Sequence, residues 1–597
     1  MTTTADRDET PPERAGARKF RRGDSGGSGK GGGRGAQSLP LLVIALALVA
    51  AGAGALIVSS AYDTPRKARA LGPNLAINDG ASNPRDLTAN NSPSLVRNPI
   101  EDGNLVVTNR IDSPAYSCSL QVSFDGGGRW TQTPIPAPPR EEPKCFAPDA
   151  TFSADGTLYV SYVTLKGRAN APNAVWISRS TDGGKTLQAP VRTPLGKKAF
   201  QVRLTSDPRA PKRILLTYVK AAEIGLYTFS STGNPIMIVR SDDGGVNWNK
   251  PTRVSSVARA RVVAPTPAIG AKPGELNVLY LDLGDDVLDY GGGHRGRGGA
   301  PYDGKFQLVL ARSTDNGGTW KESVVDDAIT PIERFIVFTP AFPSIAVDRK
   351  NGRVYAAFHD ARSGAADVML WSLAAGAGEW TGPVRVNDTP NGDKTAQYLP
   401  ELSVAPNGRL DVMYYDRRAD PTNVLNEVSL ASSFDNGKSF LPRVQLSDPN
   451  RAFSSRIGFG LERGMPDLGS RLALISTNSR AYGVWTDTRA GSRQTAKQDL
   501  ARGVVAFNDP PRLSSLGKTA LRIGGILLIL LGLGVALLLI SKRRKGSGDR
   551  SGGSGDRAGG PADRSGGSGD RSGRTSAFKR APRSSRPSRP LRRKPSA

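Results

Sequence analysis

The stretch Ser123-Phe124-Asp125-Gly126-Gly127-Gly128-Arg129-Trp130 sets the reading of the whole chain, because its pattern returns four times. The pattern is Ser-x-Asp-x-Gly-x-x-aromatic. It recurs at Ser180–Leu187 with Leu in the last place, at Ser241–Trp248, at Ser313–Trp320 and at Ser433–Phe440. The five aspartates, Asp125, Asp182, Asp243, Asp315 and Asp435, are spaced 57, 61, 72 and then 120 residues apart. The last gap spans two units; at its midpoint Ala375 stands in the Asp place and Trp380 in the aromatic place. In such a turn an Asp carboxylate accepts backbone N–H groups. The Gly permits a positive φ, and the aromatic anchors the turn to a core. The aspartates are therefore expected to be structural fasteners.

Short strand-like runs surround each copy. In the sixth unit these are Glu401–Val404, Leu410–Tyr415, Glu427–Ala431 and a strand near Arg443–Leu446. Four strands per unit of about 60 residues, repeated, predict the blades of a β-propeller. Seven units are counted, six being the alternative. The seventh runs from about Met465 to Phe507 without the turn or a fourth strand. Asn74–Ile77 is the expected source of that strand and the closure of the ring. The fold class is all-β.

The repeat resembles the Asp-box, or bacterial neuraminidase repeat, of the sialidase-like superfamily, over roughly residues 70–507. The chain is similar to bacterial membrane-anchored proteins described as exo-α-sialidase-like. The resemblance implies a propeller, and for a true sialidase three substrate-binding arginines, a Tyr–Glu nucleophile pair and an acidic Asp. The family's early Arg-Ile-Pro motif is absent. The nearest string, Arg97-Asn98-Pro99-Ile100, has a different order. Asp-boxes also occur in non-enzymatic propellers, so the fold leaves function open.

Two apolar segments flank the propeller, 39–61 and 519–541. Each is long enough to cross a bilayer. The first is read as a signal-anchor, with a cleaved signal peptide as the alternative. Lys542-Arg543-Arg544-Lys545 places the end of the second inside. Both termini are then cytoplasmic and the propeller is extracytoplasmic. About half of the net charge of +27 lies beyond residue 541, where 17 Lys/Arg face 4 Asp. The folded region is accordingly not read as a nucleic-acid binder. The tails, 1–38 and 542–597, are Gly- and Ser-rich and expected to be disordered. The basic one suits anionic lipid headgroups, or serves as a plain solvated tether. Cys118 and Cys145 are the two cysteines. In an oxidising compartment they are expected to pair, the alternative being two buried thiols.

A second recurrence falls after the second strand of three units: Asp360-Ala361-Arg362, Asp416-Arg417-Arg418 and Asp487-Thr488-Arg489. In a meander this loop lies on the face opposite the Ser-x-Asp turns. These six residues are the candidate ligand contacts; pairing of each Asp with an Arg is the competing structural role. The chain has two histidines, His294 and His359, too few for a His-based zinc site. The run Asp282, Asp285, Asp286, Asp289 reads as a hydrated loop, with calcium as the alternative. Neither a metal nor another cofactor is expected. The function expected is binding of a glycan, a cell-wall polymer or a surface protein. The alternative is an exo-α-sialidase or related hydrolase of acidic sugars.

Overall fold

The computed structural model describes residues 38–61, 66–83, 85–168, 170–221, 228–229, 233–289, 302–332, 341–454, 468–491, 497–508 and 515–545. His294 lies outside them, as do the expected tails apart from Ser38 and Lys542–Lys545, which are helical rather than disordered. The chain divides into two units, 61–512 and the segments before and after it.

The larger unit is a seven-bladed propeller. Blades I to VI span 90–133, 145–192, 199–253, 262–329, 344–385 and 397–445, each a four-stranded antiparallel sheet in simple meander order. The first strand of every blade touches the first strands of the blades on either side, in a closed ring. These strands therefore surround the axis, and the fourth strands lie outermost.

Blade VII closes the circle with chain from both ends. Its inner strands are Ala473–Ser476, Arg480–Asp487 and Asp499–Asn508. The outer strand comes from Lys67–Ala70, paired antiparallel from Lys67↔Asn508 to Ala70↔Val505. Leu75–Ala76 then pairs with the same strand at Arg502 and Ala501. The expected closing segment, 74–77, thus joins blade VII, but the main outer strand lies just before it. Covering a sheet edge in this way removes a free row of backbone donors and acceptors.

The blades are held together by apolar side chains between neighbouring sheets, among them Leu105, Val160, Leu216, Tyr280, Tyr355, Tyr414 and Trp485, all fully buried. Each such aliphatic side chain contributes about 1.5–3 kcal/mol. Cys118 and Cys145 form a disulfide between blades I and II.

The five Ser-x-Asp turns share one geometry. In the first, Ser123 Oγ donates to Asp125 Oδ1 at 2.9 Å and accepts the Gly127 N–H at 2.8 Å. Asp125 Oδ1 also accepts the Arg129 N–H at 2.9 Å, and Trp130 Nε1 donates to the Gly127 carbonyl at 3.1 Å. Gly126 and Gly127 both have positive φ. Backbone donation from Asn247, then the side chains of Ser241 and Asn247, holds the carboxyl of Asp243 down to about 2. The blade V turn lacks these partners, and Trp380 instead donates to Ser323 of blade IV at 3.4 Å.

In the smaller unit, helices α1 (Ser38–Ala61) and α2 (Ser515–Lys545) are each long and apolar enough to cross a membrane. They run antiparallel, Gly52 meeting Gly525 and Ile529 while Gly532 meets Ala45 and Val49. A Cβ at Gly52 or Gly532 would collide with the partner helix, so glycine sets the close approach.

Candidate functional site

The Ser-x-Asp turns follow third strands and define one face of the propeller. The loops after second strands define the other. Lys67 and Asn508, paired at the end of the blade VII ladder, lie at the Ser-x-Asp face. The opposite face holds all three Asp-x-Arg motifs.

Each of those arginines grips two carboxylates. Arg362 Nε lies 2.5 Å from Asp360 and its Nη2 2.9 Å from Asp326 of blade IV. Arg418 pairs with Asp416 at 2.7 Å and with Asp388, just after blade V, at 2.5 Å. Arg489 pairs with Asp487 and, at 3.1 Å, with Asp448 following blade VI. The first partner belongs to the same loop and the second to the preceding blade, so each motif ties two blades together. Asp360 and Asp416 are fully buried and Asp487 nearly so. Asp360 also accepts the backbone N–H groups of Arg362 and Thr330. The three arginines keep between 17% and 29% of their side chains exposed. The motifs sit on three successive blades and form an arc of the rim.

Below the rim lies a second constellation, which the sequence reading passed over. Five first strands carry a bulge with a residue in the left-handed region: Ser92, Ala147, Gln201, Ala264 and Leu399. Two residues later each presents a polar side chain. The series is Ser92-Pro93-Ser94, Ala147-Pro148-Asp149, Gln201-Val202-Arg203, Ala264-Pro265-Thr266 and Leu399-Pro400-Glu401. Phe342-Pro343-Ser344 and Gly469-Ser470-Arg471 occupy the same place in blades V and VII. A bulge leaves one residue out of the ladder. Proline suits that place because it has no N–H to leave unpaired.

These side chains converge on the axis. Arg203 Nε is 2.9 Å from Asp149, and Arg471 Nη2 is 4.0 Å from the same carboxylate although blade I separates their blades. Arg471 also donates to the carbonyls of Pro93 at 3.1 Å and Pro148 at 2.7 Å. The Phe342 N–H reaches Ser470 of blade VII at 3.2 Å. Arg203 lies over the Phe342 ring at 5.2 Å. Contacts between non-adjacent blades are possible only near the centre.

Burial pushes the carboxyl of Glu401 up to about 7, against the pull of Arg203 and Arg471. Burial also lowers Arg471, to about 10, leaving it charged at neutral pH. Asp149 is held below the usual carboxylate range, the field of Arg203 and Arg471 outweighing its burial. Behind Glu401, His359 Nδ1 accepts the Leu399 N–H at 3.3 Å. Burial holds that imidazole down to about 3, so it is neutral. The cluster lies about 10 Å below the rim, three rungs along the strand from Asp416 to Met413.

Tyr280 donates to Glu322, and Arg259 bridges Glu322 and Asp282. This Tyr–Glu pair is in blade IV, away from the channel cluster in its contacts. Burial, with Glu322 beside it, pushes the phenol well up, which opposes ionisation to a nucleophile. Among the described residues no group of three or more His, Cys, Asp or Glu is arranged to hold a metal.

No family model matches the chain. A sialidase from Micromonospora viridifaciens is 25% identical over 324 residues, 50% of this chain and 45% of that protein. The fold is a sialidase-like propeller. The chain spans less than half of that relative's length. Among solved structures, a protein of unknown function from Dyadobacter fermentans is 14% identical, covering 74% of this chain and 99% of its own, with a TM-score of 0.42. The NanB sialidase of Streptococcus pneumoniae is 11% identical, covering 57% and 67%, with a TM-score of 0.37. An α-L-arabinanase from Penicillium chrysogenum, solved with arabinobiose, is 16% identical, covering 61% and 95%, with a TM-score of 0.36. At this level the structural likenesses carry nothing about the ligand or reaction of the sialidase-like propeller.

Proposed function

We propose that this chain is a membrane-anchored surface protein whose propeller binds a glycan or cell-wall polymer at the face carrying the channel cluster, without conventional sialidase catalysis. A surface protein partner on the same face is the variant of this reading. The observation that carries it is the pairing of the arginines. A sialidase clamp needs guanidinium groups free to take a substrate carboxylate. Here Arg362, Arg418 and Arg489 each hold two carboxylates of the chain, and Arg203 and Arg110 hold one each at 2.9 and 2.6 Å. The two apolar helices support a two-span anchor with both termini inside. The Ser-x-Asp turns act in this reading as Asp-boxes in the family's structural sense, and the basic tail meets anionic lipid headgroups.

The second reading is an exo-α-sialidase or related glycoside hydrolase, favoured by the relative named sialidase. Hydrolysis of a fluorogenic sialoside by the purified full chain in detergent separates the two. The first reading expects no turnover, with retention of the protein on a glycan or cell-wall array. Turnover lost in an Arg418→Ala variant that still folds would establish the second.

A further inference from the structure

A cavity of about 410 Å³ opens on the Ser-x-Asp face between blades I and II. One wall is the loop after the first strand of blade I, with Ile100 and Glu101, joined by Phe124 of the first Ser-x-Asp turn. The other is the turn carrying Asp155 in blade II, joined by Asp182 and Lys185 of the second Ser-x-Asp turn. The volume lies within the range of small-molecule sites, about 300–1,000 Å³.

Two glycines of blade II shape this cavity. A Cβ at Gly156 would stand 2.5 Å from Ile100 Cδ1, and one at Gly183 2.8 Å from the Phe124 ring. Ile100 and Phe124 therefore rest directly on the backbone of the next blade. Even so, Ile100 is 69% exposed and Phe124 37%. A lone exposed apolar side chain needs no explanation. Two in one concavity, fixed against a neighbouring blade, form an apolar floor for a ligand.

The polar lining has a sign. Three carboxylates, Glu101, Asp155 and Asp182, stand against one ammonium, Lys185. Ser153 Oγ and the Thr157 N–H donate to Asp155 at 2.6 and 3.0 Å. Ser180 Oγ and Thr186 Oγ1 donate to Asp182, each at 2.6 Å. Burial alone would raise both carboxyls, but these bonds outweigh it, lowering Asp155 and bringing Asp182 down to about 2. Lys185 Nζ lies 4.7 Å from the centre of the Phe124 ring. In blade VI the matching Phe434 carries Arg66 at 4.0 Å. The phenylalanine of a Ser-Phe-Asp turn is thus a seat for a cation. The N–H groups of Ile100, Gly156 and Thr157 are already taken, by Asn98 Oδ1, the Ser153 carbonyl and Asp155. An extended peptide finds no strand edge to join there.

We infer that the cavity between blades I and II is a second binding site, for a sugar bearing a protonated amine. The C–H face of the sugar ring lies on Ile100 and Phe124. Its ammonium and hydroxyls meet Glu101, Asp155 and Asp182. The same carboxylates repel an acidic sugar. The site shares no residue with the Asp-x-Arg motifs or the channel cluster, so it stands or falls apart from the binding proposed there.

The test is a saturation-transfer NMR titration of the full chain in detergent micelles at about pH 6, where amines keep their proton. The probes are chitobiose (two glucosamine units), its uncharged N,N′-diacetyl form, and trilysine. Chitobiose is expected to bind, and the diacetyl form about tenfold more weakly. Glu101 is exposed, so Glu101→Lys should fold normally, which circular dichroism checks. That variant is expected to bind chitobiose about tenfold more weakly, and Ile100→Ala about fivefold more weakly. Equal affinity for chitobiose and its diacetyl form overturns the inference, as does an absence of chitobiose binding. Chitobiose bound equally by the wild type and both variants places the sugar elsewhere and overturns it too. Trilysine binding where chitobiose does not assigns the cavity to a basic peptide and likewise overturns it.

Discussion

The two faces of the propeller satisfy their recurring Asp side chains by opposite strategies. On one, the Ser and Asp side chains of each Ser-x-Asp turn find their partners within eight residues: Ser313 caps the Gly317 N–H at 2.9 Å and Asp315 takes the Thr319 N–H at 2.9 Å. On the other face, charges reach across blades. Arg418 joins blades V and VI, and Arg471 of blade VII reaches Pro148 and Asp149 of blade II. A locally satisfied carboxylate can be lost without stranding a charge in the next blade. A charge shared between blades and buried cannot, because removing one partner strands the other.

The largest effect that would sharpen this contrast is expected at Arg471. Arg471→Met should cost about 4 kcal/mol, since two carbonyls lose a buried donor and Asp149 loses a nearby positive charge. Urea unfolding of the full chain, followed by tryptophan fluorescence, measures it. A loss no larger than that of a turn mutant would break the comparison. Next comes Arg418→Ala, expected to cost about 3 kcal/mol by taking from the buried Asp416 its close guanidinium. Asp388→Ala should cost about 1 kcal/mol or less, because Asp388 is nearly half exposed.

The third effect concerns pH. Glu401 is raised from 4.5 to about 7 in the fold. Its contribution is therefore fully present below about pH 4.5 and lost as pH rises through about 7. The loss is on the order of 2 kcal/mol after allowance for its solvent contact. His359 has the opposite sign. Lowered from 6.5 to about 3, it withdraws stability as pH falls through that window. Unfolding curves across pH should flatten above pH 4.5 in Glu401→Gln and below pH 6.5 in His359→Gln. An unchanged slope in either variant would contradict the assignment. The smallest effect is expected on the other face, where Ser313→Ala should cost about 1 kcal/mol by orphaning the Gly317 N–H.

The same contrast explains what could be read in advance. The Ser-x-Asp turns were legible because every partner lies within one short string. The blade count followed, since the strands around each string are local too. The Asp-x-Arg motifs were visible as a recurrence, and their opposed face followed from the meander. Their second partners, Asp326, Asp388 and Asp448, were not visible, because they come from other blades at varying separations. The axial cluster was missed for a related reason. Its signal is a proline at the bulge position of the first strand, present at Pro93, Pro148, Pro265, Pro343 and Pro400 and replaced by Val202 and Ser470. The polar residue after it changes from Ser to Asp, Arg, Thr and Glu around the ring. A position defined by its backbone rather than its side chain leaves little trace in a single sequence.

The way blade VII closes has a consequence for damage. Lys67 and Asn508 stand opposite each other in one ladder, and each continues toward its own apolar helix. In the proposed two-span reading, which puts both helices in one bilayer, a protease that cuts a loop between blades releases neither fragment. The two pieces stay tethered side by side, at an effective concentration set by the membrane anchors rather than by dilution. A nicked ring would therefore re-form where an unanchored one would drift apart.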